Sequence, residues 1–444
     1  MSRNLFSSGS CAGYRRLARL WDRHPRRELR ELRRAAGVVD VSRGAGERWL
    51  PRMAFRKRGT VSNGRDVVVC IFLRGGMDGI SAVVPYGEGA SYYDLRPTLA
   101  VREPGAGTGA AVDLDGFFGL HPSLAGFKDL YTDGKLGIVH GTGCIDPTRS
   151  HFDAMRYMEQ GVPGDKTVAT GWIGRHLEST SWTNESPFRA VGMGSLLPAS
   201  LRGTGAVSAL ALEDIRDFTL NGRWDQVERL SAELQAAYHV DAPAGLLDDQ
   251  ARLVFETMNI LQGLDSENYQ PEHGATYPDD YFAVALKQTA QMIKADLGLE
   301  VSCIDLGNWD THETQGTIGG GFAENLKILG DTLLAFYTDL GEAMNSVTVL
   351  TMSEFGRRIE ENASAGTDHG HGGVMFAMGG GVQGGSVLGT WPGMAEDALD
   401  DGDLAITTDQ RHILAELLTR RMGCTNLASV FPGFTPQAVG LFKA

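Results

Sequence analysis

The sequence predicts an α/β fold: a doubly wound, mostly parallel sheet with helices on both faces. Two observations carry this. Three short, near-continuous apolar runs, DVVVCIFL (66–73), LEVSCIDL (299–306) and SVTVLT (346–351), read as strands buried on both sides. Segments with apolar residues at 3-to-4 spacing lie between them, and alternation of the two kinds implies a parallel sheet covered by helices. A third observation concerns chemistry: carboxylates and imidazoles follow these runs, at the strand ends where such sheets build their sites.

Along the chain, Asp66 to Leu73 is the first central strand, and Gly75-Gly76-Met77-Asp78-Gly79 follows as a tight turn. Leu124 to Tyr131 reads as helix and Leu136 to His140 as a second strand. Asp146-Pro147-Thr148-Arg149-Ser150 leads into a helix ending near Gln160. A mostly helical insertion is expected at about 220–297, from RLVFETMNILQGL and DYFAVALKQTAQMI. Then come the strand 299–306, a helix near Phe322 to Met344, the strand 347–351 and an amphipathic helix from Asp409 to Met422, which Thr407, Thr408 and Asp409 can cap. GGGVQGG (379–385) reads as a strand-to-strand turn, and GTGAVS opens no helix, which argues against a dinucleotide site.

Composition narrows the function classes. The first 60 residues hold 16 Lys and Arg against 5 Asp and Glu, and the remainder 25 against 50. The body is therefore acidic, which argues against nucleic acid as a partner. No apolar run of about 18 residues exists, so no spanning helix is expected. Five dispersed cysteines without a C-x-x-C disfavour a disulfide framework or a zinc–thiolate site, and Cys70 and Cys303 read as core. Residues 1–64 read as a basic, poorly packed leader with Arg15-Arg16, Arg26-Arg27 and Arg33-Arg34. Its alternatives are a solvated tail, a degenerate export leader whose apolar stretch is cut short by Asp40 and Arg43, or a surface-binding arm.

The candidate residues fall in four places. Asp78 is either a turn aspartate or a metal ligand approached closely past its glycines. Ser150 is either a helix N-cap or a nucleophile placed where a helix start favours an anionic ester, with Thr148, Arg149 and His151 beside it. Asp310-x-His312 points two donors the same way in an extended segment. TMSEFGRRIEENASAGTDHGHGG, starting at Thr351, adds Glu354, Asp368, His369 and His371. Together these carboxylates and imidazoles are the ligand types a hard-to-borderline divalent ion needs: Zn, Mn, Mg or Ca.

FLRGGMDG, PTRSHFDAM, GWIGRHLE, NWDTHETQG, TMSEFGRR, TDHGHGG and GGGVQGG, in this order, resemble the DUF1501 family of bacterial proteins, over roughly Asp66 to the C-terminus. That family is placed in the alkaline-phosphatase-like superfamily with sulfatases and phosphomutases. The resemblance implies a bimetal centre, a serine, threonine or formylglycine nucleophile, and a twin-arginine leader in most members. It implies Asp78 at one metal, Asp310 and His312 at the other, and His369, with His371, as the last imidazole. Ser150 matches the nucleophile, with Thr148 as rival because PTR resembles the P-S-R of sulfatases. Cys144 stands three residues before Pro147, not two, so a formylglycine site is not supported. SEFG stands where relatives carry D-H-G: Glu354 takes the aspartate position and Phe355 the histidine position. Two readings follow. One is a metal-dependent hydrolase of small-molecule or glycan phosphate or sulfate esters, and the other a member that has lost the chemistry and acts as a binding or structural protein.

Overall fold

The computed structural model describes residues 53–54, 66–180, 184, 186–203, 209–220, 222–241 and 245–443. The expected basic leader, 1–64, lies almost wholly outside the described residues. In chain order the strands are Met53–Ala54 (β1), Val67–Leu73 (β2), Val83–Val84 (β3), Val112–Asp113 (β4), Gly119–Leu120 (β5), Leu136–Gly143 (β6) and Ala190–Met193 (β7). Ala209–Leu212 (β8), Val301–Leu306 (β9), Val347–Met352 (β10), Gly373–Gly379 (β11), Val387–Leu388 (β12) and Thr408–Asp409 (β13) complete them.

The main sheet runs β1-β8-β7-β9-β2-β10-β11-β6-β12, with β13 also on β6, and β3-β5-β4 form a small separate sheet. Strands β8, β7, β9, β2 and β10 are mutually parallel, whereas β11 runs antiparallel to both β10 and β6. This is the expected class, a mixed and mostly parallel sheet with helices on both faces.

Burial on both faces explains why β2 is apolar at every position. Val67, Val69, Ile71 and Leu73 enter one core, with Phe322, Leu326, Phe336 and Leu286 from the helices Gly321–Leu340 and Tyr281–Lys294. Val68, Cys70 and Phe72 alternate into the other, against Trp172 and Ile173 of the helix Trp172–Ser179 and Ile413, Leu414 and Leu417 of the helix Gln410–Arg421. Cys70 pairs in register with Cys303, and both are free and buried.

The helices Trp224–Ala237, Leu246–Gly263 and Tyr281–Lys294 occupy the connection from β8 to β9, where the helical insertion was expected. The helix expected at Leu124 to Tyr131 starts instead with a 3-10 turn at Pro122–Leu124, and α-helix begins at Phe127. Asp409 caps the last long helix, its Oδ1 accepting from Arg411 N at 2.9 Å. No helix of the described residues is long and apolar enough to cross a membrane.

The connection 265–280 is tied to the core by one carboxylate. Asp339, fully buried near the end of the helix Gly321–Leu340, accepts from Lys294 Nζ (2.7 Å), Glu272 N (2.7 Å), Tyr269 OH (2.8 Å) and Tyr277 OH (3.0 Å). Burial works to raise its pKa, but the bonds from Lys294, Glu272 and the two tyrosines outweigh it and hold the carboxyl below its ordinary value. A depressed carboxylate pKa stabilises the fold above the unfolded value of about 3.9 and loses that contribution as pH falls below it. Asp339→Ala leaves Lys294 with only Glu272, at 3.4 Å, and is expected to cost about 3 kcal/mol in chemical denaturation at neutral pH. The gap between variant and wild type should narrow below about pH 4.

Candidate metal centre

The carboxyl edge of the parallel strands gathers the connections that follow β2, β6, β9 and β10, together with the loop that enters β11. After β9, Trp309 is fully buried in the core and its Nε1 donates to Leu306 O at 3.0 Å, which fixes the chain just before Asp310. After β2, Gly75 sits at φ +123°, where a Cβ would lie 2.6 Å from Asp310 N, so only glycine fits. Its N–H donates to Glu354 Oε1 at 2.8 Å. Gly370 lies so close to Arg357 that a Cβ would meet its carbonyl carbon at 2.3 Å, and this contact lets His369 bridge Arg357.

At this edge three imidazoles face one carboxylate oxygen. Asp310 Oδ1 lies 3.1 Å from His312 Nε2, 3.1 Å from His369 Nε2 and 3.4 Å from His151 Nε2. Arg357 Nη2 donates to the same oxygen at 2.7 Å. Donor atoms of His151, Asp310 and His369 lie within 4.8 Å of one another. A tetrahedral ion with bonds of about 2.1 Å spaces its donors by roughly 3.4 Å, so the cluster has the dimensions of a cation site.

The outer ring nitrogens set the tautomers. His151 Nδ1 donates to Glu354 Oε1 (2.7 Å), His312 Nδ1 to Asp368 Oδ1 (2.9 Å) and His369 Nδ1 to the Arg149 carbonyl (2.9 Å). A neutral histidine that donates through Nδ1 keeps its lone pair on Nε2, the arrangement found around metal-ligating histidines. His312 Nε2 and His369 Nε2 then confront each other at 2.9 Å, lone pair to lone pair, unless a cation or a proton lies between them. The donor set fits a divalent ion on this ground.

The electrostatics agree. Burial works to raise the pKa of Asp310, but the hydrogen bond and positive charge of Arg357 outweigh it and hold the carboxyl at about 2. The hydrogen bond to Glu354 raises His151 above its ordinary value, whereas burial lowers His369. The His312 hydrogen bond, seconded by Asn362, holds Asp368 below the usual carboxylate range.

The structure thus brings Asp310, His312 and His369 together and adds His151, which the sequence placed only beside Ser150. It places the other expected ligands differently. Asp78 does not enter the cluster. Fully buried, its Oδ2 accepts from Arg96 Nη1 (2.5 Å), Ser81 Oγ (2.7 Å) and Gln315 Nε2 (2.7 Å). Glu354 and Asp368 stand behind histidines, and His371 Nδ1 pairs with Asp400 Oδ2 at 2.7 Å. Phe355, at the position where the family resemblance expects histidine, is buried, and its ring centroid lies 4.8 Å from those of both His151 and His369.

Ser150 precedes the helix His151–Gln160 as its N-cap residue, exposed and making no side-chain capping bond. It sits between Arg149, whose carbonyl holds His369, and His151. Thr148 Oγ1 accepts from Ser150 N at 3.3 Å. Arg149 directs its guanidinium to Asp403. Sequence reasoning missed Arg357, Arg96 and Asp403, because a buried arginine and a solvated one look alike in a sequence, and DDGD reads as an acidic surface turn.

Fold and cluster together define an α/β protein with a histidine–carboxylate site at the carboxyl edge of its sheet. The chain belongs to the family described as protein of unknown function (DUF1501), whose model matches residues 142–429. No curated protein matches the chain. Among solved structures it is similar to the lipoteichoic acid synthase LtaP from Listeria monocytogenes, at 8% identity over 77% of this chain and 74% of that one, TM-score 0.32. It is similar to a protein in the alkaline phosphatase superfamily from Vibrio parahaemolyticus, at 10% identity over 81% and 70%, TM-score 0.33. It is also similar to the PsFucS1 sulfatase from Pseudoalteromonas sp., at 12% identity over 78% and 70%, TM-score 0.33.

Three imidazoles and one carboxylate suit borderline first-row ions such as Zn(II) better than Mg or Ca, which prefer oxygen. Metal analysis and titration of the stripped chain should therefore find Zn(II) or Mn(II) bound far more tightly than Mg or Ca. Asp368→Asn should weaken that binding by about 10- to 100-fold, and His312→Ala by more. Equal retention of Mg would count against the assignment.

Proposed function

We propose that this protein is a metal-dependent hydrolase of phosphate or sulfate esters, with His151, Asp310, His312 and His369 holding the ion. The observation that carries this reading is the convergence of three Nε2 atoms on Asp310 Oδ1. A divalent ion bound there would lower the pKa of a nearby hydroxyl and offset charge on the ester oxygens.

The chain's own residues supply the rest. Ser150 Oγ is the nucleophile: it is exposed, spends no bond on capping, and stands beside a cluster histidine. It would attack phosphorus or sulfur as the bond to the leaving alkoxide breaks, its hydroxyl proton passing through water to that alkoxide, and water would then cleave the seryl ester to release phosphate or sulfate and restore the hydroxyl. The uncapped N–H groups at the start of the helix His151–Gln160 favour the anionic end of such a substrate. Arg357 holds Asp310 from behind and, being fully buried, stays away from substrate.

A second reading, a member that binds without turnover, is favoured by two observations. Phe355 contributes a ring where an imidazole was expected, and Arg96 neutralises Asp78. One experiment separates the readings. Purified, metal-loaded protein is screened with generic phosphate and sulfate esters, and then Ser150→Ala and Thr148→Ala are compared. The hydrolase reading expects Ser150→Ala to cut turnover by roughly 1,000-fold or more, as loss of an activated nucleophile does, with metal content unchanged. Thr148→Ala should act mildly, through the lost bond to Ser150 N. Metal binding without any ester cleavage would favour the second reading.

A further inference from the structure

We propose that Asp403 is a positioning residue for the metal centre, acting through Arg149 on His369. The inference rests on the metal reading above. Asp403 Oδ2 accepts from Arg149 Nε at 3.2 Å and also from Arg149 Nη2. The carbonyl of the same Arg149 accepts the Nδ1–H of His369 at 2.9 Å, and His369 Nε2 faces Asp310 Oδ1. A continuous chain of bonded groups therefore runs from Asp403 to the donor atom of a cluster histidine.

Three features argue that this path has a role at the site. First, the Asp403 side chain is fully buried, while Arg149 is two-fifths exposed. Burying a carboxylate costs several kcal/mol unless it is paired, so this is not a solvated surface contact. Second, the segment 400–403 is itself fixed. Asp400 and Asp403 exchange backbone bonds of 3.0 Å, Arg358 bridges Asp403, and Arg358 Nη2 donates to Asp401 O at 2.5 Å. Arg358 N in turn donates to Asp368 O at 3.0 Å, so the same turn braces the loop that carries His369. Third, the stretch before the helix is held only locally by Thr148 N to Asp146 Oδ1 (3.0 Å) and Ser150 N to Thr148 Oγ1 (3.3 Å), until His151 reaches Glu354. The turn 400–403, through Asp403 and at 3.9 Å Asp401, is the long-range tie of the Arg149 side chain, and with the His369 bond it sets where the Arg149 carbonyl stands.

The test uses the full chain stripped of metal. Zn(II) affinity is measured in competition with a chromophoric chelator, and Co(II) binding by its visible absorption. Asp403→Asn is expected to weaken Zn(II) binding by about 10-fold, the lower end of what loss of an outer partner costs, and to change the Co(II) bands. Arg149→Met should match it, and the double variant should be no worse than either, because both cut one path. Asp403→Glu should recover part of the affinity. Unchanged affinity and an unchanged Co(II) spectrum, even with lower thermal stability, would overturn the proposal and leave Asp403 a structural ion pair. If Asp403→Asn fails to fold, Arg149→Met decides alone. A wild-type chain that takes up neither ion overturns the metal reading and the positioning role together; variants that bind like a binding wild type overturn the positioning role only.

Discussion

One oxygen organises the carboxyl edge of this sheet. Asp310 Oδ1 has four nitrogens around it, from Arg357, His312, His369 and His151. Each arrives on a different stretch of chain: after β10, after β9, before β11 and after β6. A carboxyl that stayed neutral could not hold this company, and the Arg357 bond and charge hold its pKa down at about 2. Arg357 makes the arrangement rigid. Its guanidinium also donates to the carbonyls of Gly75, Gly76, Trp309 and Thr367. The cation is thus wired into the backbone on either side of the site, and Asp310 has little freedom to leave it.

Backbone economy follows from that constraint. Chains must approach within van der Waals contact for one oxygen to be reached from four directions. Gly75 against Asp310 and Gly370 against Arg357 are where this happens, and a methyl group at either would push the loops apart. Glycine therefore costs conformational entropy here and supplies geometry. The same logic explains the outer partners: a ring held by Nδ1 to Glu354, Asp368 or a backbone carbonyl has one orientation left.

Much of the architecture was legible because burial on two faces leaves a plain signature. β2, β9 and β10 are continuous apolar runs, and their ends mark where the site residues begin. Strands β7 and β8 were not legible, being four residues each with no contrast to their flanks. The reversed direction of β11 was hidden as well, since a strand's orientation depends on a connection and not on its own composition. At the site, Asp310, His312 and His369 could be read as donors, because residue type and loop placement were enough. Their geometry with His151, and the fate of Asp78, could not be read. Those depend on partners such as Arg357, Arg96 and Asp403, brought close only by folding.

Formal charge also bears on how many ions the edge can hold. Three carboxylates surround the cluster: Asp310 within it, Glu354 behind His151 and Asp368 behind His312. Arg357 supplies one positive charge and a divalent ion would supply two, so the three carboxylates balance a single ion together with the guanidinium. A second divalent ion would need further negative charge within a few ångströms, where unscreened repulsion between cations is severe. Asp78 is already neutralised by Arg96, with Gln315 and Ser81 filling its remaining acceptor positions. Phe355 presents a ring to the histidines instead of a donor. Neither Phe355 nor the Asp78–Arg96 pair offers a free donor to a second ion, and the charges at this edge would balance one divalent ion.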